Sequence, residues 1–208
     1  MASVRVEFTP ALAPVIDLVR AGDLAAIGLD MPIGLPEHGR RASDAAARRL
    51  LGARRASLFP TPPRAVLDAR NYADALACCR AMDGAGLSRQ AFNLVPKMRE
   101  VAACVSPDLQ PAVSEVHPET SFAAMGDQPC VHPKRRREGA LERVALLERH
   151  LGPIAAAVAA RPIGVGVDDV LDACAAAWTA LRVAAGTAVW LGDCDARDAR
   201  GLRLTIAV

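Results

Sequence analysis

The chain has 208 residues, of which 52% are hydrophobic and 23% charged, with a formal net charge of +2. That length suits one domain, ~100 to 200 residues being usual, and the balance excludes a disordered tail, a collagenous chain and a strongly charged nucleic-acid coat. No apolar run nears the ~18 residues of a bilayer span, and Arg5, Glu7 and Asp17 interrupt the start where a secretory leader would be apolar, so no membrane association and a cytoplasmic location are expected.

Residues 4–8 (VRVEF) alternate and are partly β-branched, which predicts a strand; the periodic stretch 12–19 predicts a helix ended near Gly22. The run 24–33 (LAAIGLDMPI) is apolar but for Asp30, the pattern of a strand covered on both faces, as in parallel sheets. Pro32 and Gly34 stop it just after the acid. A lone carboxylate is costly to bury, so Asp30 is expected at the strand's carboxyl end, where sheet-based sites gather.

Residues 36–110 read as an intervening region of proline-rich loops and short helices, including helices near 43–52 and 72–82. Between Arg40 and Arg64 seven arginines stand against one acid, Asp44. This is either a solvated helix face or a phosphate-facing surface. The stretch 59–63 is either a rigid loop or a polyproline II segment for a partner groove.

Residues 113–116 (VSEV) predict a second buried strand, again with a carboxylate, Glu115, followed by His117 and Glu119. Leu141, Val144, Leu147 and Leu151 make a helical stripe closed by Gly152 and Pro153. The last long helix carries Val170, Leu171, Cys174, Trp178, Leu181 and Ala185 at helical spacing, with Asp168 as its N-cap and Gly186 at its end. Residues 202–208 predict a closing strand. The six cysteines form no C-x-x-C pair, which predicts reduced thiols. Cys130, His132 and His117 as zinc ligands would lack both module spacing and a fourth ligand.

Asp169 and Asp172 lie three residues apart, on one face of a first helical turn. Acids there also simply stabilise a helix through its macrodipole. The small residues after Asp172 let the helix lie close against a sheet and carry these acids over the strand ends. Carboxylates so gathered suit Mg2+ or Mn2+, which take hard oxygen ligands and keep positions for water and phosphate. Two such ions activate water and stabilise a leaving oxygen in phosphodiester hydrolysis.

Six blocks now identify a resemblance: LDMPIGLP at 29–36, GRRASDAAARRLLG at 39–52, SLFPTPPR at 57–64, LSRQAFNLVPKMREV at 87–101, SEVHPETSF at 114–122 and DDVLDACAAAWTA at 168–180. They resemble the domain-of-unknown-function 429 family, described as predicted RNase H-like nucleases. The D-x-x-D-A form at 169–173 also resembles the last helix of RuvC-type resolvases. The resemblance implies a single α/β RNase H-like domain over 1–208, a mixed sheet flanked by helices, with the helical insertion at 36–110. It implies a metal-dependent nuclease with Asp30 and Asp172 as principal ligands to Mg2+ or Mn2+, assisted by Asp169 and Glu115. Glu119 would support them, and His117 would shuttle a proton or pack as a loop histidine. Arg40, Arg41, Lys97 and Arg99 are the expected substrate-phosphate contacts, Lys97 otherwise being an exposed charge, and nucleic acid is the expected partner.

One departure bears on activity. Such sites take a principal Asp from a first-strand hairpin, and residues 1–8 supply none. With the usual strand order 3-2-1-4-5, residues 4–8 would be strand 3 and 24–33 strand 4, leaving unpaired edges between them. The expectation is a start assigned too far downstream. A degenerate, non-catalytic nucleic-acid-binding module and a rearranged sheet are the alternatives.

Overall fold

The apolar run around Asp30 forms a strand only in its middle, at Ile27–Leu29 (β1). A computed structural model describes residues 4–83 and 86–208. Among the described residues β1 is followed by β2 (Val113–Glu115), β3 (Trp190–Leu191) and β4 (Ile206–Ala207). The helices, in chain order, are α1 (Ala13–Ala21), α2 (Ala42–Leu51), α3 (Tyr72–Asp83), α4 (Arg89–Asn93), α5 (Val95–Cys104), α6 (Pro118–Met125), α7 (Arg137–Leu151), α8 (Ala155–Ala159) and α9 (Val167–Ala184). The class is therefore mixed α/β, mainly helical, with small sheets.

β1 and β2 run parallel, pairing Ile27 with Val113, Gly28 with Ser114 and Leu29 with Glu115. Their carboxyl ends consequently open at the same side, and Asp30 and Glu115 arrive there together. β4 pairs antiparallel with β3, and a parallel bridge between Val116 and Ala207 joins this pair to β2. The strands thus lie in the order β1, β2, β4, β3, and β1 has β2 as its strand partner among the described residues.

Side chains alternate across the sheet as the strand period of two requires. Ile27, Leu29 and Val113 face a cluster with Ile16 of α1 and Val101 of α5. Gly28 faces the other way, toward α9, where an added Cβ would stand 2.5 Å from the Ala176 carbonyl oxygen and 2.8 Å from Val116 Cγ2. The alanine-rich stretch after Asp172 is what allows that approach. Behind α9, Phe122, Leu147, Ile154, Leu171 and Ala175 build the largest apolar cluster with α6 and α7. Arg143 is buried within this layer, donating to both oxygens of Glu119 at 2.7 and 2.8 Å.

Several elements differ from expectation. Residues 4–8 are not a strand: Val4 and Val6 rest against the α7–α9 cluster while Arg5 and Glu7 pair with each other in solvent, so the alternation is satisfied without a ladder. The N-cap of α9 is Gly166 rather than Asp168, and its N–H donates to Asp169 Oδ2 at 2.9 Å. Only Ile206 and Ala207 of the closing segment form β4. No helix among the described residues is long and apolar enough to cross a membrane.

The Gly28 contact generates a prediction. Gly28→Ala forces backbone apart and is expected to cost about 3 kcal/mol. Gly22→Ala, at φ 81° but with open space around it, is expected to cost about 1 kcal/mol. Urea unfolding of the two variants checks the difference.

Candidate functional site

A cavity of about 490 Å3 opens where the parallel strands end, bounded by the segments at 54–62 and 133–135 and by α9. Its floor is charged. Asp30 leaves β1 and faces the cavity with no hydrogen bond to its carboxylate among the described residues; Asp172, on the second turn of α9, is ion-paired with Lys134. Asp172 Oδ1 is buried and has no hydrogen-bond partner.

The Asp30 carboxyl is pushed up to about 7, first by its removal from bulk water and then by the Asp172 charge, with Lys134 pulling against both. Although its surface is open to the cavity, that concave setting replaces most of its water shell with protein. Burial likewise pushes Asp172 up, opposed by its hydrogen bond to Lys134. Two acids and one ammonium thus share the floor.

Beside them stands a buried ion network. Arg41, the residue before α2, donates to Glu115 Oε2 at 2.7 Å and Oε1 at 2.6 Å, to Asp44 Oδ1 at 2.6 Å and to the Gly34 carbonyl at 3.0 Å. The Ile33 N–H donates to the same Glu115 Oε2 at 2.8 Å. Burial pushes the Glu115 carboxyl up while Arg41 and the Ile33 N–H hold it down. Asp44 in turn accepts the Thr61 N–H at 2.8 Å and its hydroxyl at 3.2 Å, fixing the proline-rich wall to α2.

His117 also lines the cavity. Its ring is hydrogen-bonded to the Ser57 backbone, its Nδ1 is buried without a partner, and burial holds its pKa below the usual value. Glu119 is engaged by Arg143, with the Arg54 guanidinium 3.9 Å away on the cavity side.

The expected site residues therefore separate. Asp30, Asp172, Glu115, His117 and Glu119 converge on one cavity. Asp169 is exposed at the start of α9, holding the Gly166 N–H. Arg41 lines the cavity but its donors are taken by Glu115, Asp44 and Gly34. Lys97 pairs with Glu100 at 3.0 Å, Arg99 donates to the Leu67 and Ala69 carbonyls, and Arg40 is exposed; none of these three lines the cavity. The cations that do line it with Arg41 are Arg54, Lys134 and Arg135. Lys134 carried a usable signal, because only it and Lys97 are lysines among 25 basic residues. Cys130 is a buried core thiol pushed up to about 11 by burial, and no group of three metal-ligating side chains occurs among the described residues.

A family model described as "Protein of unknown function (DUF429)" matches residues 1–196. The chain belongs to the DUF429 family. No curated protein and no solved structure matches it. In this DUF429 chain, each of the six sequence blocks noted above contributes residues to the lining of the cavity.

Two predictions follow from the charges. Arg41→Met leaves Glu115 and Asp44 buried without their cation and is expected to cost about 3 to 5 kcal/mol, read by thermal or urea unfolding. Folded Asp30 holds its proton to about pH 7, whereas the ordinary value is 3.8. The folded state therefore binds the extra proton between these values, so the contribution of Asp30 to stability is complete below about pH 4 and is lost as pH rises through 7. Asp30→Asn is expected to flatten part of that decline; an unchanged slope would assign it to other groups.

Proposed function

We propose that this cavity is a phosphodiester-hydrolysing site on an RNase H-like arrangement, with Asp30 and Asp172 as its divalent-cation ligands. The observation that carries the proposal is their meeting: two carboxylates from distant stretches face one floor, one without a hydrogen bond and the other with a buried oxygen left unpartnered among the described residues. Two carboxylates suit Mg2+ or Mn2+, which commonly take one or two protein acids and fill remaining positions with water and substrate phosphate. Such an ion supplies an activated water and polarises the phosphoryl oxygens.

The chain's own residues do the rest. Arg54, Lys134 and Arg135 draw the phosphate to the floor, guanidinium groups being suited to two-point contact with its oxygens. Lys134 also pulls the Asp172 carboxyl down against the burial that raises it. The Arg41–Glu115 pair holds the end of β2 and the turn after β1 in place, which positions Asp30.

The test is cleavage of single-stranded DNA, duplex DNA and RNA with Mn2+. Asp172→Asn and Asp30→Asn are each expected to lower the rate by more than ~100-fold, since even residues behind metal ligands cost 10 to 100-fold. A rate for Asp172→Asn equal to its parent removes Asp172 from the chemistry. Salt-sensitive nucleic-acid binding with no Mn2+-dependent cleavage would instead support a binding module.

A further inference from the structure

The walls of the cavity differ in chemistry from its floor. Besides the charged groups, the cavity is lined by Leu58, Phe59, Pro60, Leu94 and Met98. Phe59 and Leu94 are large apolar residues left 38% and 37% exposed, and both line this cavity. An isolated exposed apolar side chain is ordinary; two that line one cavity together with charged groups form an amphipathic pocket. The wall is also held fixed, because Thr61 is tied through Asp44 to Arg41. Gln90 adds an exposed amide at the rim, with both a donor and an acceptor to offer.

The size is equally informative. About 490 Å3 lies within the ~300 to 1,000 Å3 of sites that enclose small ligands. A stacked base pair with its duplex flanks does not enter such a space, whereas one base with its sugar and phosphate does. A base laid against Phe59 gains stacking that does not depend on its identity. Its phosphate then points to Arg54, Lys134 and Arg135.

We propose that the cavity seats a single unpaired nucleotide, base on the Phe59 wall and phosphate on the basic groups of the floor. This deepens the hydrolase reading and rests on it for the reaction, but not for binding. The unpaired nucleotide is either free or the accessible unit of a single strand, and the test separates these sources.

Binding is measured by calorimetry with EDTA present, using adenosine 5′-monophosphate, inorganic phosphate, a single-stranded oligonucleotide and a covalently closed duplex. The mononucleotide and the oligonucleotide are expected to bind at least about tenfold more tightly than phosphate or the closed duplex. Phe59→Ala is expected to weaken mononucleotide binding about tenfold and leave phosphate binding unchanged, with Phe59→Trp restoring it. Leu94→Ser is a second variant of the same wall, and a thermal melt of each establishes that it folds. A mononucleotide tighter than the oligonucleotide marks the free ligand as the occupant; the reverse marks a strand. Phosphate binding as tightly as the mononucleotide, or unaltered mononucleotide binding in both wall variants, overturns the proposal. Cleavage of the closed duplex as fast as the single strand, abolished by Asp172→Asn, overturns it while leaving the hydrolase reading intact. Mononucleotide binding without cleavage of any substrate does the opposite.

Discussion

The guanidinium of Arg41 is the constraint on which the site's shape depends. It joins three segments far apart in sequence: the end of β2 through Glu115, the turn after β1 through the Gly34 carbonyl, and α2 through Asp44. Desolvating a guanidinium and two carboxylates costs several kcal/mol per ion, and only well-formed hydrogen bonds offset it. Here both Glu115 oxygens and Asp44 Oδ1 receive short, directed donors, while Asp44 Oδ2 takes the Thr61 N–H. Geometry rather than net stabilisation is what this arrangement supplies. It fixes where the strand end, the following turn and the proline-rich wall stand relative to one another.

Against that fixed frame the floor is left electrostatically open. Glu119 and Glu115 are ion-paired with the buried Arg143 and Arg41, so they shape the cavity without adding free charge. Asp30 and Asp172 are different, since Lys134 is the one ammonium close to both. An acid poised near neutrality beside a second acid is a common mark of functional sites, because structural carboxylates are usually more fully compensated. The two kinds of carboxylate within one cavity therefore differ in how far their charge is compensated.

Local patterns disclosed the elements better than the pairings. The apolar stripe from Val170 to Trp178 fits α9, and the run interrupted by Asp30 contains β1, because both patterns follow from packing on defined faces; Leu181, counted in the same stripe, is exposed. The small residues after Asp172 foretold a close approach, and Gly28 supplies the other half of it. Residues 4–8 misled because alternation registers one buried face, not a hydrogen-bonded neighbour. Among the charges, Asp30 and Asp172 stood out as acids in apolar surroundings. Arg41 did not reveal that it serves Glu115, because an ion pair across 74 residues leaves no periodic trace, and the same holds for Arg99 and its distant carbonyls; the three-residue spacing of Lys97 and Glu100 was legible. The Arg41–Asp44 spacing was visible, yet many such spacings lie on solvated helix faces.

The parallel pairing of β1 with β2 and the seating of α9 over both have a bearing on how the molecule is made. Synthesis delivers Asp30 early and Asp172 much later, with the intervening helices between them. Without α9 the first acid loses the Asp172 charge that helps to raise its proton affinity. Any truncated form ending before α9 therefore carries half of the pair and none of its coupling.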